Sequence, residues 1–111
     1  MKTFEITATA GKARAGILIT RHGIVETPAF MPVATKASVK YLLPHELEEA
    51  GTKALIANAF VLSLRPGLDV IKKHKGLHEF MQWNKTIFTD SGGFQMLEPS
   101  FFIKKNENGI E

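Results

Sequence analysis

The sequence predicts a mixed α/β fold in which an antiparallel β segment leads into repeated βα units of a parallel sheet. Three observations carry this. Residues 4–32 alternate apolar and polar side chains between turn signals, the pattern of half-buried strands. From Phe30 onward, short apolar runs alternate with helix-like stretches bounded by Pro and Gly. The run Thr89-Asp90-Ser91-Gly92-Gly93-Phe94-Gln95 then sets a carboxylate and two glycines where the last of these apolar runs ends.

In the first strand, Phe4, Ile6, Ala8 and Ala10 alternate with Glu5, Thr7 and Thr9, and residues 15–20 and 24–30 flank the turn Arg21-His22-Gly23. Phe30 to Val33 gives the first buried strand. A helix over Pro44 to Ala50 carries Pro in its first turn, early glutamates, and Gly51 as its stop. Ala54 to Phe60 is the second strand. Pro66 to Lys75 forms the next helix, with Gly76 in the C-cap position, and Leu77 to Trp83 adds a helical turn. Thr86 to Thr89 is the third strand, almost wholly apolar as strands of parallel sheets are. Phe101 to Lys105 reads as a further strand, and Asn108-Gly109 signals a tight hairpin turn. The returning strand is missing before the chain stops at Ile110-Glu111, so the sequence is expected to be a fragment or one half of a split protein.

Composition excludes more than it assigns. With 44% hydrophobic and 23% charged residues, the chain is expected to fold as an ordinary globular segment, and no run approaches the roughly 18 apolar residues of a membrane span. Its first residues lack the apolar core of a secretory signal, and the absence of cysteine removes disulfides and thiolate metal ligands, which fits a cytoplasmic setting. The net charge of +3 is compatible with an RNA partner, but the lysines are scattered and do not argue for one. Lys72, Lys73 and Lys75 cluster where a helix end and a solvated face account for them. His22 sits in a turn, and His74 and His78 straddle Gly76 with no third ligand nearby, so no metal site is expected.

Asp90 falls where a buried strand emerges, the usual place for chemistry in α/β folds. Gly92 and Gly93 allow backbone N–H groups to approach a small flat ligand. The competing reading is a plain strand-to-loop turn with a solvated Asp. For Phe94 the alternatives are a ring offered to a heterocycle or core packing; for Gln95, ligand contact or a structural hydrogen bond. Asn58 is either a satisfied strand-end amide or a group on the same rim as Asp90.

The string TDSGGFQM over Thr89 to Met96 resembles the signature of the tRNA-guanine transglycosylases, the queuine and archaeosine tRNA-ribosyltransferases. The upstream strings HGIVETPAFMPVAT from His22 and LRPG from Leu64 resemble the same family in the same order. The resemblance spans essentially all of the chain but only the first part of a family member. It implies an N-terminal antiparallel β segment (about 4–32) and then the first three βα units (about 30–96) of an incomplete (β/α)8 TIM-type barrel, followed by a truncated hairpin over 97–111.

The activity it implies is replacement of a tRNA guanine by a 7-deazaguanine derivative through a covalent ribosyl-enzyme intermediate. Asp90 would be the acid–base group and would also recognise the base. Ser91, Gly92, Gly93 and Phe94 would form the base-binding loop, with Gln95 and Asn58 beside it. The nucleophilic Asp and the zinc site would lie beyond position 111, so this segment is expected to bind no metal and to be inactive alone. Its implied partners are tRNA, guanine or a 7-deazaguanine base, the remainder of the barrel in the same or another chain, and a second subunit in a homo- or heterodimer, with no membrane. Asn58-Ala59-Phe60-Val61-Leu62 stands where Asn-Thr-Tyr-His-Leu is typical of bacterial members, which points away from the aminomethylated precursor base and toward an archaeal-type or divergent enzyme. Two other readings remain: a non-catalytic partner subunit of such an enzyme, and a tRNA-binding module without chemistry.

Overall fold

The computed structural model describes residues 3–97 together with 105–106 and 109–110. Its first unit is a three-stranded antiparallel sheet in the order β1 (Phe4–Ala10), β2 (Ala13–Thr20), β3 (Gly23–Thr27). Two-residue turns join the strands, since Ala10 pairs with Ala13 and Thr20 with Gly23. Thr20 tightens the second turn, its Oγ1 donating to the Gly23 carbonyl at 2.9 Å and accepting from the His22 N–H at 3.0 Å. The alternation read for β1 does not bury one of its faces, because all seven of its residues are exposed.

The expected first buried strand, Phe30 to Val33, shrinks to a single parallel bridge between Val33 and Ile56. Ile56 N–H donates to the Pro32 carbonyl at 3.1 Å and Ala34 N–H to the Ile56 carbonyl at 2.7 Å. Pro28 and Pro32 have no N–H to give a longer ladder. Phe30 and Val33 are 84% and 61% exposed, so this stretch is not buried either.

Helix α1 (Pro44–Glu49) starts with Pro at its first position, and Glu46 Oε2 accepts the Leu43 N–H at 2.7 Å. Strand β4 (Ala54–Asn58) ends two residues before the expected Phe60, because the Asn58 side chain turns the backbone into helix α2 (Ala59–Leu62) by accepting the Val61 N–H. An irregular turn, Ser63–Gly67, follows; Arg65 is extended there (φ −148°, ψ 121°), as a residue before proline prefers. The next helix, α3 (Leu68–Lys73), therefore begins after Pro66 rather than at it. Lys75, with φ +63°, takes the left-handed position expected of Gly76, and Gly76 instead precedes α4 (Leu77–Met81). That helix stops short of Trp83 because Gln82 is left-handed.

Strand β5 (Thr86–Asp90) pairs in parallel with β4 from Ala54↔Thr86 to Asn58↔Asp90, so Asp90 is the last residue of the strand rather than the first beyond it. The core gathers around β4: Ala34, Leu55 and Ala57 pack with Leu47 of α1, Leu62 of α2, Met81 of α4 and Trp83. Trp83 is 1% exposed and donates from Nε1 to the Thr86 carbonyl at 3.2 Å.

After a short 3-10 turn, Gln95–Leu97, a hairpin pairs β6 (Lys105–Asn106) with β7 (Gly109–Ile110). Gly109 thus begins a two-residue returning strand instead of sitting in the turn. Apart from Lys105, the expected strand over Phe101 to Lys105 lies outside the described residues, as does Asn108. No helix among the described residues is long and apolar enough to cross a membrane.

Candidate functional site

The parallel register sets Asn58 and Asp90 side by side at the carboxyl ends of β4 and β5. Asn58 is 3% exposed. Its Oδ1 accepts from Val61 N–H at 2.9 Å, while its Nδ2 has no hydrogen-bond partner among the described residues. A buried donor left unpaired costs about 1–3 kcal/mol, so an acceptor brought to this point would be held with advantage. The satisfied strand-end amide is therefore only half of what Asn58 is. The Asp90 side chain is exposed, and its carboxylate has no ion pair or hydrogen bond among the described residues.

The loop after Asp90 lies directly on the start of α2. Gly92 is buried with φ +70°, and a Cβ there would fall 2.6 Å from Asn58 Oδ1 and 2.6 Å from Phe60 Cβ. Only glycine meets both conditions. Met96 N–H closes the loop onto the Gly92 carbonyl at 3.1 Å, and Leu97 N–H donates to the Phe94 carbonyl at 3.0 Å. Ser91 and Gly93 are exposed and Gln95 is half-buried. Phe94 is 83% exposed, so core packing is not its role in this arrangement.

Sequence reasoning missed a second feature beside the sheet. The segment that leaves the Val33–Ile56 bridge forms a cleft of about 540 Å³ lined by Val33, Thr35, Lys36, Ser38, Val39 and Lys40. Its signal in the sequence was two lysines four residues apart with hydroxyl side chains among them.

The histidines lie elsewhere. His22 and His78 stack, ring centroids 3.6 Å apart and planes 11° from parallel, near the amino end of β5. His22 Nδ1 is 3.3 Å from the Asn84 carbonyl and His78 Nε2 is 3.1 Å from that of Lys85. Beside them, the Thr20 and Thr86 hydroxyls meet at 2.9 Å, which fastens the β2–β3 turn to the base of β5. Burial first, and then the charge of His22, hold His78 below the usual histidine pKa. His74 binds the Val70 carbonyl at 2.9 Å and meets the edge of Phe80. Among the described residues no group of three or more His, Cys, Asp or Glu side chains is arranged to hold a metal ion.

Comparison with known proteins adds identity to this geometry. A family model described as queuine tRNA-ribosyltransferase matches residues 9–111. The chain is similar to the queuine tRNA-ribosyltransferase of Thermotoga petrophila, at 57% identity over 93 residues covering 84% of this chain and 25% of the relative. It is similar to that of Pseudomonas putida, at 52% over 108 residues covering 97% of this chain and 29% of the relative, and to that of Methylacidiphilum infernorum, at 52% over 109 residues, 96% and 29%. The chain thus spans between a quarter and three tenths of the length of these relatives.

Proposed function

The chain belongs to the queuine tRNA-ribosyltransferase family, and on that footing we propose that it supplies the acid–base carboxylate and the base-binding loop of a tRNA base-exchange enzyme. The observation that carries the reading is the in-register pair Asn58↔Asp90, one a buried amide with a free donor among the described residues and the other an unpaired carboxylate among them, beside a loop whose Gly92 admits no larger residue. In the assembled enzyme, with the remaining length of the relatives supplied by continuation or by a partner chain, residues 32–34, β4 and β5 are the first parallel segments of a (β/α)8 barrel.

The reaction splits one difficult displacement in two. A carboxylate from outside these residues attacks the ribose C1′; the glycosidic bond to guanine breaks, and its electron pair leaves with the base. Asp90 in its acid form donates a proton to the departing base. The incoming base then attacks C1′, the ribosyl ester breaks to regenerate the carboxylate, and Asp90 takes up the proton that the new base releases. Asn58 Nδ2 and the Gly92–Gly93 backbone hold the flat heterocycle, and Phe94 offers it a ring. The relatives' names favour a queuine-class 7-deazaguanine as the incoming base. Zinc, in this reading, is bound outside the residues present here.

A non-catalytic partner subunit is the second reading, because apolar Ala59-Phe60-Val61 follows Asn58, with Phe60 Cβ 2.6 Å from where a Cβ on Gly92 would lie. One experiment separates the two. In the assembled enzyme, Asp90→Asn should slow exchange of labelled guanine by about 10²–10⁴-fold, the usual worth of a general acid–base group, while leaving tRNA affinity largely intact. Turnover close to that of the unaltered enzyme would remove Asp90 from the chemistry and favour the partner-subunit role.

A further inference from the structure

We propose that the His22–His78 stack is an acid-operated latch. While both rings are neutral it holds the β2–β3 turn, and with it the antiparallel sheet, against α4 and the start of β5; when the rings take up protons it lets the sheet go. The inference stands on this joint and does not rest on the base-exchange reading.

The joint is small and polar. β1, β2 and β3 form a sheet separate from β4 and β5, and of its hydrophobic side chains only Val25 is fully buried among the described residues. The polar contacts that cross to α4 and β5 come from one turn. His22 stacks on His78 with ring centroids 3.6 Å apart, its Nδ1 lies 3.3 Å from the Asn84 carbonyl, and the Thr20 hydroxyl meets that of Thr86 at 2.9 Å. Asn84 and Lys85 lead into β5 at Thr86, so the turn is fastened to the strand that ends at Asp90.

The partners fix where the protons sit. A backbone carbonyl only accepts, so His22 Nδ1 and His78 Nε2, which is 3.1 Å from the Lys85 carbonyl, carry the N–H of the neutral rings. An added proton must go to His22 Nε2 or His78 Nδ1. It leaves the carbonyl bonds in place and puts charge on rings that lie face to face, with planes 11° from parallel. Two like charges that close repel strongly, the more so where burial thins the screening water. An open cleft of about 300 Å³, lined by the two histidines with Glu48, Glu79 and Gln82, gives solvent protons access.

The surrounding charges do not cancel this repulsion. From α4, Glu79 favours a charged His78; from α1, Glu48 is taken up by Lys85 at 3.2 Å; and Lys85, just before β5, brings a positive charge of its own. Arg21 precedes His22 in the turn and adds another. Burial, and next His22, hold His78 below the ordinary 6.5 against the pull of the Lys85 carbonyl and Glu79. The docked state thus binds a proton less readily than the released one. Docking is complete above about pH 6.5 and is lost as pH falls through the lower docked value. Once released, the sheet has no packed face, and its amides lose protection because three strands need a covered apolar face to stand alone.

The test is amide hydrogen exchange of the assembled enzyme, read by mass spectrometry from about pH 8 to 5.5 and corrected for the intrinsic pH dependence of exchange. Residues 13–27 should lose protection below about pH 6.5, by up to about tenfold per pH unit for each proton taken up, while residues 54–58 of β4 keep theirs. His22→Phe keeps a stacked ring without its charge and should flatten the loss. Thr20→Cys/Thr86→Cys, oxidised to a disulfide across the joint, should keep residues 13–27 protected to the acid end of the series, and reduction should bring the loss back. Protection of residues 13–27 that does not depend on pH would overturn the proposal. So would loss of protection in residues 54–58 in step with them, which is global acid unfolding, or an unchanged acid loss in either variant. Asp90→Asn should leave the whole series as it is, so the latch and the acid–base assignment stand or fail separately.

Discussion

Gly92 and Gly93 are neighbours in sequence with different physical reasons to exist. A methyl group on Gly92 would collide with the Asn58 amide and with Phe60, and the backbone there is left-handed; at Gly93 the nearest atom to an added Cβ is Ser91 Oγ at 3.7 Å. Gly92→Ala is therefore expected to cost about 1–3 kcal/mol through strain and displacement of the Asn58 side chain, and Gly93→Ala much less. Denaturant titration of the two variants checks the difference, and base exchange should fall with Gly92→Ala in the same order. Equal losses at the two positions would mean that the loop does not rest on Asn58 as described. The asymmetry was not visible in the sequence, where both glycines read alike. It arises from a contact between residues that are 34 positions apart, Asn58 and Gly92.

Between elements, the most specific joint is the one that docks the antiparallel hairpin onto α4 and β5. His22 from the β2–β3 turn stacks on His78 of α4, with Glu79 on the same helix and Lys85 and Glu48 around them. His78 is held below its ordinary value of 6.5, chiefly by burial and next by His22, while the Lys85 carbonyl and Glu79 pull the other way. The folded state consequently binds this proton less readily than the unfolded chain. Stability is full above the unfolded value and is lost as pH falls from about 6.5 through the lower folded value. Thermal melting should be flat from about pH 8 to 7 and decline below 6.5, and His22→Phe, which keeps a stacked ring without its charge, should decline less. An identical acid slope in His22→Phe would exclude repulsion between the two rings as a cause. Local rules made most elements legible: proline and Glu46 at the start of α1, apolar runs for β4 and β5, and Asn58 and Asp90 at strand ends. What they missed was competition at the boundaries. Asn58 served as a helix cap and ended β4 early, Pro66 pushed Arg65 into an extended conformation, and the prolines around Phe30 left only one bridge of a strand.

At the scale of the molecule, the described residues form an open arrangement. The radius of gyration is 16.7 Å, against about 13 Å for a compact chain of this length. β5 pairs only with β4, and β1 only with β2, so each leaves one edge unpaired among the described residues. Phe30, Val33, Leu43 and Leu68 are all exposed. Unpaired parallel edges and large exposed side chains are what neighbouring barrel segments cover in the architecture proposed for the assembled enzyme, and without cover both favour association. The 111-residue chain on its own should therefore elute well above its 12.3 kDa monomer, bind a hydrophobic dye, and unfold over a broad range. Joining it to the remaining length of a relative such as the Pseudomonas putida enzyme should suppress dye binding and sharpen the transition, because added strands would pair with the open edge of β5. A monomeric chain with one sharp transition and no dye binding would show instead that the core around Leu55 and Trp83 suffices for an independent fold, and that the exposed side chains at the carboxyl rim have another use.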